Sequence, residues 1–380
     1  MISKSSNFKF LIYDNCNLKL IENIIDLKKT KMLDFRKHEN FFIKIFFLIP
    51  SLFKILLNIK LVKILFLEGL FIAYVCERII THKPKFVLTT TDNDIRFYKL
   101  KQFFKDIKFV AIQNGYRSKF HDMFDDLDNK TYKNLSADYY CSFGNSIEKL
   151  IKKYINVEVI PVGSFKNNQI KIKNKKKKNN EILYISSYRN INLNVVFDKY
   201  SSGKKIFYKD VIDSEINLVK FMYDFCKNNN YCLSIAGCSL KNHNKEIKFY
   251  KKILPSGNWK FYKRKNLSSN YNLIDEFDVI ANCCSTLGYE ALGRNCKVAF
   301  FSREMSIYND WRYGWPENIA KKGYFYSNLI SKKEVYRILK NLIKANPSNW
   351  KAISIKETKK VMEYDYLNTK LKNLFKSIQL

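Results

Sequence analysis

The sequence predicts an α/β protein built from two doubly wound domains. Three observations predict it. Short apolar runs of strand length recur along the chain, each ending in polar residues or glycine. The runs are continuous rather than alternating, which suits parallel strands covered on both faces. Segments with helical patterning separate them, the signature of βα units. With 380 residues, 46% hydrophobic and 16% aromatic, the chain can bury two cores, and this composition excludes disorder.

The elements follow in order. Phe8–Asp14 is the first strand candidate. Phe41–Val75 is unusually apolar and reads as a helix, with Pro50 as a break or kink. Lys44, Ser51, Lys54 and Asn58 share one face of it. Its longest uncharged stretch, Ile45–Phe53, is far shorter than the ~20 residues a spanning helix needs. Two readings stand: a helix buried against a sheet, or one lying in the membrane interface with its lysines at anionic headgroups. Further strands end at TTTDND (Thr89–Asp94), IQNG (Ile112–Gly115), SFG (Ser142–Gly144) and GSF (Gly163–Phe165).

Lys166–Asn180, KNNQIKIKNKKKKNN, has no apolar face and reads as a flexible basic linker. A second βα series follows. Strands are expected at Glu181–Arg189, Tyr231–Gly237 and Asn258–Arg264, with helices over Val211–Asn230 and Asn242–Leu254. Phe277–Ser302 reads as strand, tight turn, helix, turn, strand. Ser331–Asn346 and Ile355–Ser377 read as terminal helices. The expected domains are therefore 1–165, a linker at 166–180, 181–345, and C-terminal helices at 346–380 packing back on the first domain.

The net charge of +33 suggests nucleic acid or an anionic membrane. Yet the basic residues are 58 lysines and only 10 arginines, beside 11 glycines. A lysine-, asparagine- and isoleucine-rich background of this kind makes most of the charge a solvated surface. An arginine or glycine that persists against it is more informative, being needed for its planar fork or backbone freedom. Nine cysteines, odd in number and without a CxxC pair, read as reduced thiols of a cytosolic protein. Four histidines stand at no metal-ligand spacing, and the start carries no apolar signal core.

The strongest chemical constellation is NCCSTLGYEALGR, Asn282–Arg294. A buried strand runs into Ser285 and Thr286, which open a helix whose N-terminus favours an anion. Gly288 permits close backbone approach, and Glu290, one turn in, can accept from ribose hydroxyls. The alternative is the cap and terminal glycine of any βα turn. Ser186, Ser187 and Arg189 stand at the mouth of the first strand of this domain, where an arginine fork suits a phosphate. Gly237 ends a neighbouring strand and can line the same pocket. In the first domain, Asp92 and Asp94 are strand-end carboxylates suited to a general base. Gln113, Asn114 and Arg117 can bind a sugar or its carboxylate. Asx-turn and capping chemistry is the competing reading of this cluster. His121 and the FSREM and YGWP segments (Phe301–Met305, Tyr313–Pro316) lie near these rims; Arg303 can reach the site, while Trp311 and Trp315 read as packing residues.

CSTLGYEALGR followed by KVAFFSR, with TDND, IQNGYR, GSFKNN and ISSYR upstream, resembles a bacterial family of surface carbohydrate biosynthesis proteins. The resemblance implies two Rossmann-like domains facing a cleft, the GT-B type of glycosyltransferase. STLGYEA also resembles a motif of GT-B transferases that use CMP-activated acidic sugars. Carried onto this sequence, it implies that Ser285, Thr286, Gly288 and Glu290 hold the donor nucleotide, Arg189 neutralises its phosphate, and Asp92 or Asp94 is the base. No metal is implied; the nucleotide-sugar is a co-substrate and a glycan or lipid-linked glycan the acceptor. The lysine excess would hold the protein near the inner face of an anionic membrane. Rival expectations are a nucleotide-sugar epimerase on the same fold, or a non-catalytic binding protein for RNA or anionic lipid. The latter is disfavoured, because the scarce arginines and glycines gather at strand ends.

Overall fold

The computed structural model describes residues 8–14, 17–33, 41–118, 122–129, 132, 134–173, 177–199, 205–266, 268–303, 314–315 and 322–377. The chain forms two compact units. The first comprises 1–114, 126–165 and 368–380; the second comprises 115–125 and 166–367.

The first unit opens with β1 (Phe10–Ile12), a short helix α1 (Leu18–Ile21) and β2 (Thr30–Met32). Three helices follow: α2 (Phe41–Leu56), α3 (Ile59–Glu68) and α4 (Leu70–His82). Then come β3 (Phe86–Thr89), α5 (Ile95–Tyr98), β4 (Lys108–Ile112), α6 (Met123–Asn129), β5 (Ser136–Ser142), α7 (Glu148–Tyr154) and β6 (Asn156–Pro161). The strands form one sheet in the order β2-β1-β3-β4-β5-β6, every pairing parallel. Side chains alternate along the strands, so Phe10 and Ile12, Phe86 and Leu88, and Val110 and Ile112 share one buried face. The last helix, Thr369–Ser377, covers that face with Leu371 and Phe375. The Phe375 ring meets Phe10 and Phe86 edge-on, with centroids 5.5 and 5.7 Å away.

The apolar stretch expected as one helix is three. Pro50 does not break it; it lies inside α2. The breaks fall where the local chemistry demands them. The Asn58 side chain accepts from the Lys60 and Leu61 amides and starts α3. Gly69 takes φ +87°, a conformation only glycine adopts cheaply, and separates α3 from α4. The predicted polar stripe is not one solvent face either. Ser51 is buried, Lys54 pairs with the buried Glu77 at 3.4 Å, and Asn58 is a cap.

In the second unit β7 (Lys178–Ile185) leads to a separate antiparallel pair, β8 (Val196–Lys199) and β9 (Lys205–Phe207). It continues with α8 (Tyr208–Asn228), β10 (Cys232–Ala236), α9 (His243–Ile253), β11 (Trp259–Tyr262), α10 (Ser269–Ile274), β12 (Phe277–Asn282), α11 (Thr286–Gly293), β13 (Lys297–Phe301) and β14 (Tyr326–Ser327). The main sheet runs β11-β10-β7-β12-β13-β14, again entirely parallel. Leaving aside the β8–β9 pair, this is the doubly wound order 3-2-1-4-5-6, which reverses between β7 and β12. Helices Lys332–Lys344, capped by Ser331, and Pro347–Val361 complete the unit.

Two expected boundaries are corrected. The basic segment 166–180 is not a free linker. Asn167 and Asn168 are buried, and β7 already begins at Lys178. Asn167 is not solvated, because it and the neighbouring carbonyls satisfy a buried arginine. The Arg294 guanidinium donates to Asn167 Oδ1 at 3.0 Å and to the Ile170 carbonyl at 2.9 Å. The C-terminal helices also part company. Pro347–Val361 packs on α11 within the second unit, and only the last helix joins the first.

Candidate functional site

Ligands of open parallel sheets collect at the carboxyl ends of strands, where the order reverses. In the second unit that place lies between β7 and β12. Register puts Ala236, Ile185, Asn282 and Phe300 in one row across β10, β7, β12 and β13. Gly237, Ser186 and Cys283 therefore leave the sheet side by side, while β13 runs one residue further to Phe301.

Ser285 is the N-cap of α11. Its backbone is extended at φ −114° and its hydroxyl accepts from the Leu287 amide at 3.3 Å. The Ser285 amide in turn donates to Asn282 Oδ1 at 3.1 Å, which fixes the turn. Thr286 Oγ1 accepts from the Tyr116 amide at 3.2 Å, and the Tyr116 ring stacks flat on Tyr289 at 3.9 Å. The 115–118 segment thus lines the same helix, which explains its place in the second unit.

Gly288 has a concrete steric reason. A Cβ there would sit 2.2 Å from Asn282 Cγ. Asn282 is fully buried, so it has little room to yield. Gly288→Ala is expected to destabilise the second unit by about 1–3 kcal/mol, read as a lowered urea midpoint. An unchanged midpoint would show that Asn282 moves aside freely. Glu290 is buried and accepts from the Tyr271 hydroxyl at 3.0 Å. Burial and the Glu290 carboxylate push the Tyr271 phenol well above its usual range.

At the β7 mouth, neighbouring residues separate. Ser186 is buried and committed: its hydroxyl donates to Glu246 at 2.6 Å and accepts from Tyr250 at 2.8 Å. The expectation that it touches a ligand is corrected to a structural role, because α9 supplies a buried carboxylate to it. The Ser187 hydroxyl is sheltered and faces the Cys284 thiol, which, alongside Cys283, it helps to hold below its usual value. Arg189 is exposed. Its amide donates to Tyr208 Oη at 3.1 Å, and its guanidinium lies 5.2 Å from the Phe197 ring centre.

Gly237 is also structural. Its amide donates to the Tyr262 carbonyl, its carbonyl accepts from Asn270, and a Cβ would meet Phe261 at 2.7 Å. Arg303 does not project outward. It is buried and pairs with the buried Glu215 at 2.8 Å, and Glu215 also accepts from Tyr184 at 2.6 Å. The hydrogen bond from Cys283 holds the half-buried Cys284 thiol below its usual value. Trp315 packs among Phe300, Phe325 and Tyr326, as expected.

In the first unit the order reverses between β1 and β3. Thr89 Oγ1 donates to Asp14 at 3.1 Å, and Asn17 donates to Thr90 Oγ1 and Asn114 Oδ1 at 3.4 and 3.2 Å. Asp92 is fully buried, accepting from the Asn114 amide at 3.0 Å and the Tyr140 hydroxyl at 2.8 Å. It ties strand ends together and cannot meet an acceptor in this conformation. Asp94 retains some solvent access. It caps α5 through the Arg96 amide, pairs with Arg96 at 2.7 Å, and accepts from Tyr13 at 3.2 Å. Burial and then Asp94 push the Tyr13 phenol strongly upward.

Gln113 is buried, its Oε1 holding the Phe143 amide at 2.7 Å. Arg117 belongs to the second unit and pairs with Asp122 at 3.3 Å. The proposed acceptor residues are therefore divided: Gln113 and Asn114 fall in one unit, Arg117 in the other. His121, Met305, Trp311, Tyr313 and Pro316 lie outside the described residues. Asp14, Asn17, Glu215 and Glu246 were not singled out from the sequence. Asp14 closes a strand and was legible in position; Glu215 sits inside α8 and Glu246 in the first turn of α9, and neither carried a signal.

Solved structures share this architecture. The S. aureus MnaA–UDP co-structure overlaps with a TM-score of 0.52 at 14% identity, over 97% of this chain and 96% of that one. The crystal structure of a "putative UDP-N-acetylglucosamine 2-epimerase" from Listeria monocytogenes overlaps with a TM-score of 0.52 at 10% identity, over 98% of this chain and 96% of that one. The GtfA/B complex overlaps more loosely, with a TM-score of 0.46 at 10% identity. That match covers 80% of this chain and 60% of that one, so the chain spans less than two thirds of that protein. The fold is thus the two-domain α/β type of GT-B enzymes and UDP-GlcNAc 2-epimerases. No curated protein sequence matches the chain. A family model described as "putative O-antigen biosynthesis protein" matches residues 110–379, well over half of the chain and all of the second unit's sheet. With its Ser285-capped helix inside that span, the chain belongs to this O-antigen biosynthesis protein family.

Proposed function

We propose that the protein is a glycosyltransferase that moves a sugar from a nucleotide-activated donor to a growing surface glycan. One observation carries the reading. At the order reversal of the second sheet, the N-terminus of α11 emerges beside Ser187, and Arg189 follows on the same strand end. Helix N-terminus, hydroxyl and guanidinium are the groups that hold a phosphate. Family membership in O-antigen biosynthesis agrees with a glycan product.

In this reading the donor binds the second unit and is a nucleotide-linked, specifically CMP-linked, acidic sugar. Ser187, Ser285, Thr286 and Arg189 hold its phosphate, while Glu290, buried and bonded to Tyr271, braces the helix rather than meeting the ribose. Of the two strand-end carboxylates, Asp94 is the base, since Asp92 is sealed in. The acceptor is a glycan or lipid-linked glycan at the inner face of the membrane. The acceptor oxygen attacks the anomeric carbon, the bond from that carbon to the phosphate oxygen breaks, and the acceptor proton passes to the carboxylate. Stabilising the leaving phosphate is the largest contribution. No metal enters the scheme.

A thermal-shift screen with CMP, CDP, UDP and GDP tests the reading. At a hundredfold excess over Kd, a specific nucleotide adds about 2.7 kcal/mol to stability. Selective stabilisation by CMP is the expected result; no shift with any nucleotide sinks the proposal. An epimerase is the second reading, favoured by the near full-length overlap with MnaA and the Listeria structure. It predicts isomerisation of a nucleotide-sugar with no acceptor present.

A further inference from the structure

We propose that the corner formed by α2 and α3 docks onto the interface of an anionic phospholipid bilayer. The proposal rests on the surface of the first unit and is independent of the donor chemistry.

A helix on a protein surface ordinarily turns its polar face outward. Here the outward faces are apolar. On α3, Ile59, Lys63, Phe66 and Leu67 stand at i, i+4, i+7 and i+8, one stripe, while Leu61 and Ile64 point inward and are buried. On α2, Ile49, Phe53 and Leu56 form a second exposed stripe at i, i+4 and i+7, opposed by the buried Ser51 and Ile55. Leu57 sits at the corner between them. Leu57, Ile59 and Phe66 are each more than 80% exposed. The two helices pack on one another and on α4. Large exposed apolar side chains gathered on adjoining helices in this way mark an interaction site.

Charge selects the partner. From residue 41 to residue 67 the sequence has four lysines and no acidic residue. Lys44 lies where side chains are not described and Lys54 is held by Glu77; Lys60 and Lys63, exposed on α3, have no acidic partner among the described residues. A second copy seated on this surface by a two-fold axis would bring the same lysines together. Anionic headgroups would instead neutralise them, with the lysine stems lying along the apolar surface. Length selects the mode. None of the described helices is long and apolar enough to cross a membrane. With 16 and 10 residues, α2 and α3 extend about 24 and 15 Å, short of the ~30 Å hydrocarbon core. They would lie in the plane of the interface with their apolar faces down.

The test is co-sedimentation of the full chain with phosphatidylcholine vesicles, with and without equal phosphatidylglycerol. Binding to the phosphatidylglycerol vesicles is expected. The variant Leu57→Ser/Ile59→Ser/Phe66→Ser should bind at least tenfold more weakly, and Lys60→Gln/Lys63→Gln should lose about fivefold per lysine. All five side chains are exposed, so an unchanged melting curve shows that folding is intact. Independently, Phe66→Trp should shift its emission to the blue on adding phosphatidylglycerol vesicles. Wild-type protein remaining in the supernatant, or a triple variant that binds as well, overturns the proposal. So does a dimer that the triple variant dissolves without any vesicle binding. Nucleotide thermal shifts are read without lipid, so failure here leaves the donor reading standing, and the reverse.

Discussion

Arg294→Leu will destabilise the second unit by about 3–5 kcal/mol, the usual consequence of removing one partner of a buried ion pair. Arg294 and Asp275 are both sealed from solvent. The guanidinium grips the carboxylate with two parallel bonds, Nε to Oδ1 at 2.8 Å and Nη2 to Oδ2 at 2.6 Å. Its remaining donors reach Asn167 Oδ1 and the Ile170 and Lys171 carbonyls. Truncation would strand the Asp275 charge, held then by the Lys173 amide at 2.9 Å, and free the segment entering β7. For a unit of about 200 residues the melting midpoint should fall by roughly 10 °C. Arg294→Leu/Asp275→Leu should recover much of the loss, since a buried pair is often replaced by apolar residues at little cost. A single-variant loss below about 1 kcal/mol would mean that water reaches the carboxylate and the pair is dispensable.

Arg189→Ala should behave in the opposite way, leaving the fold intact and removing activity. The side chain is exposed and its structural contact is the face of Phe197, worth about 0.5–1 kcal/mol. The strand end is held through the Arg189 amide, which the substitution keeps. If the guanidinium neutralises the leaving phosphate, transfer should fall by about 10²–10³-fold. Arg189→Lys should restore only part of it, being a point charge without the planar fork. Purified Arg189→Ala protein with wild-type transfer would remove the residue from the mechanism, leaving the α11 N-terminus and Ser187 to hold the phosphate.

Much of the second site was legible in the sequence, because its signals are local. A serine after a buried strand, followed by a helical pattern, is an N-cap whatever surrounds it, and Ser285 is one. Gly288 was read as a donor contact, whereas the group set against it within the fold is the Asn282 side chain. The scarcity of arginine suggested fork-dependent positions at strand ends; the buried fork of Arg294 on Asp275 was not among them. What failed was the choice between neighbours. Ser186 and Ser187 are equivalent in sequence, yet one is consumed by Glu246 and Tyr250 while the other is not. Asp92 and Asp94 are equally equivalent, yet Tyr140 and Asn114 enclose the first.

By itself the sequence determined the parallel βα architecture of both sheets, the approximate ends of their strands and the serine cap that starts α11. These follow from periodicity and from capping, which act over a few residues. The tertiary structure decided which strand-end side chains are spent in holding the fold. It also decided that the 115–118 segment joins the second unit, that 167–173 is pinned rather than free, and that an apolar face of α2 and α3 stays uncovered. Each of those depends on groups brought in from distant elements: Glu215 and Glu246 from α8 and α9, Asp275 from the turn before β12. A buried polar group must find its partner wherever the chain has carried it, and the local pattern does not record where that is.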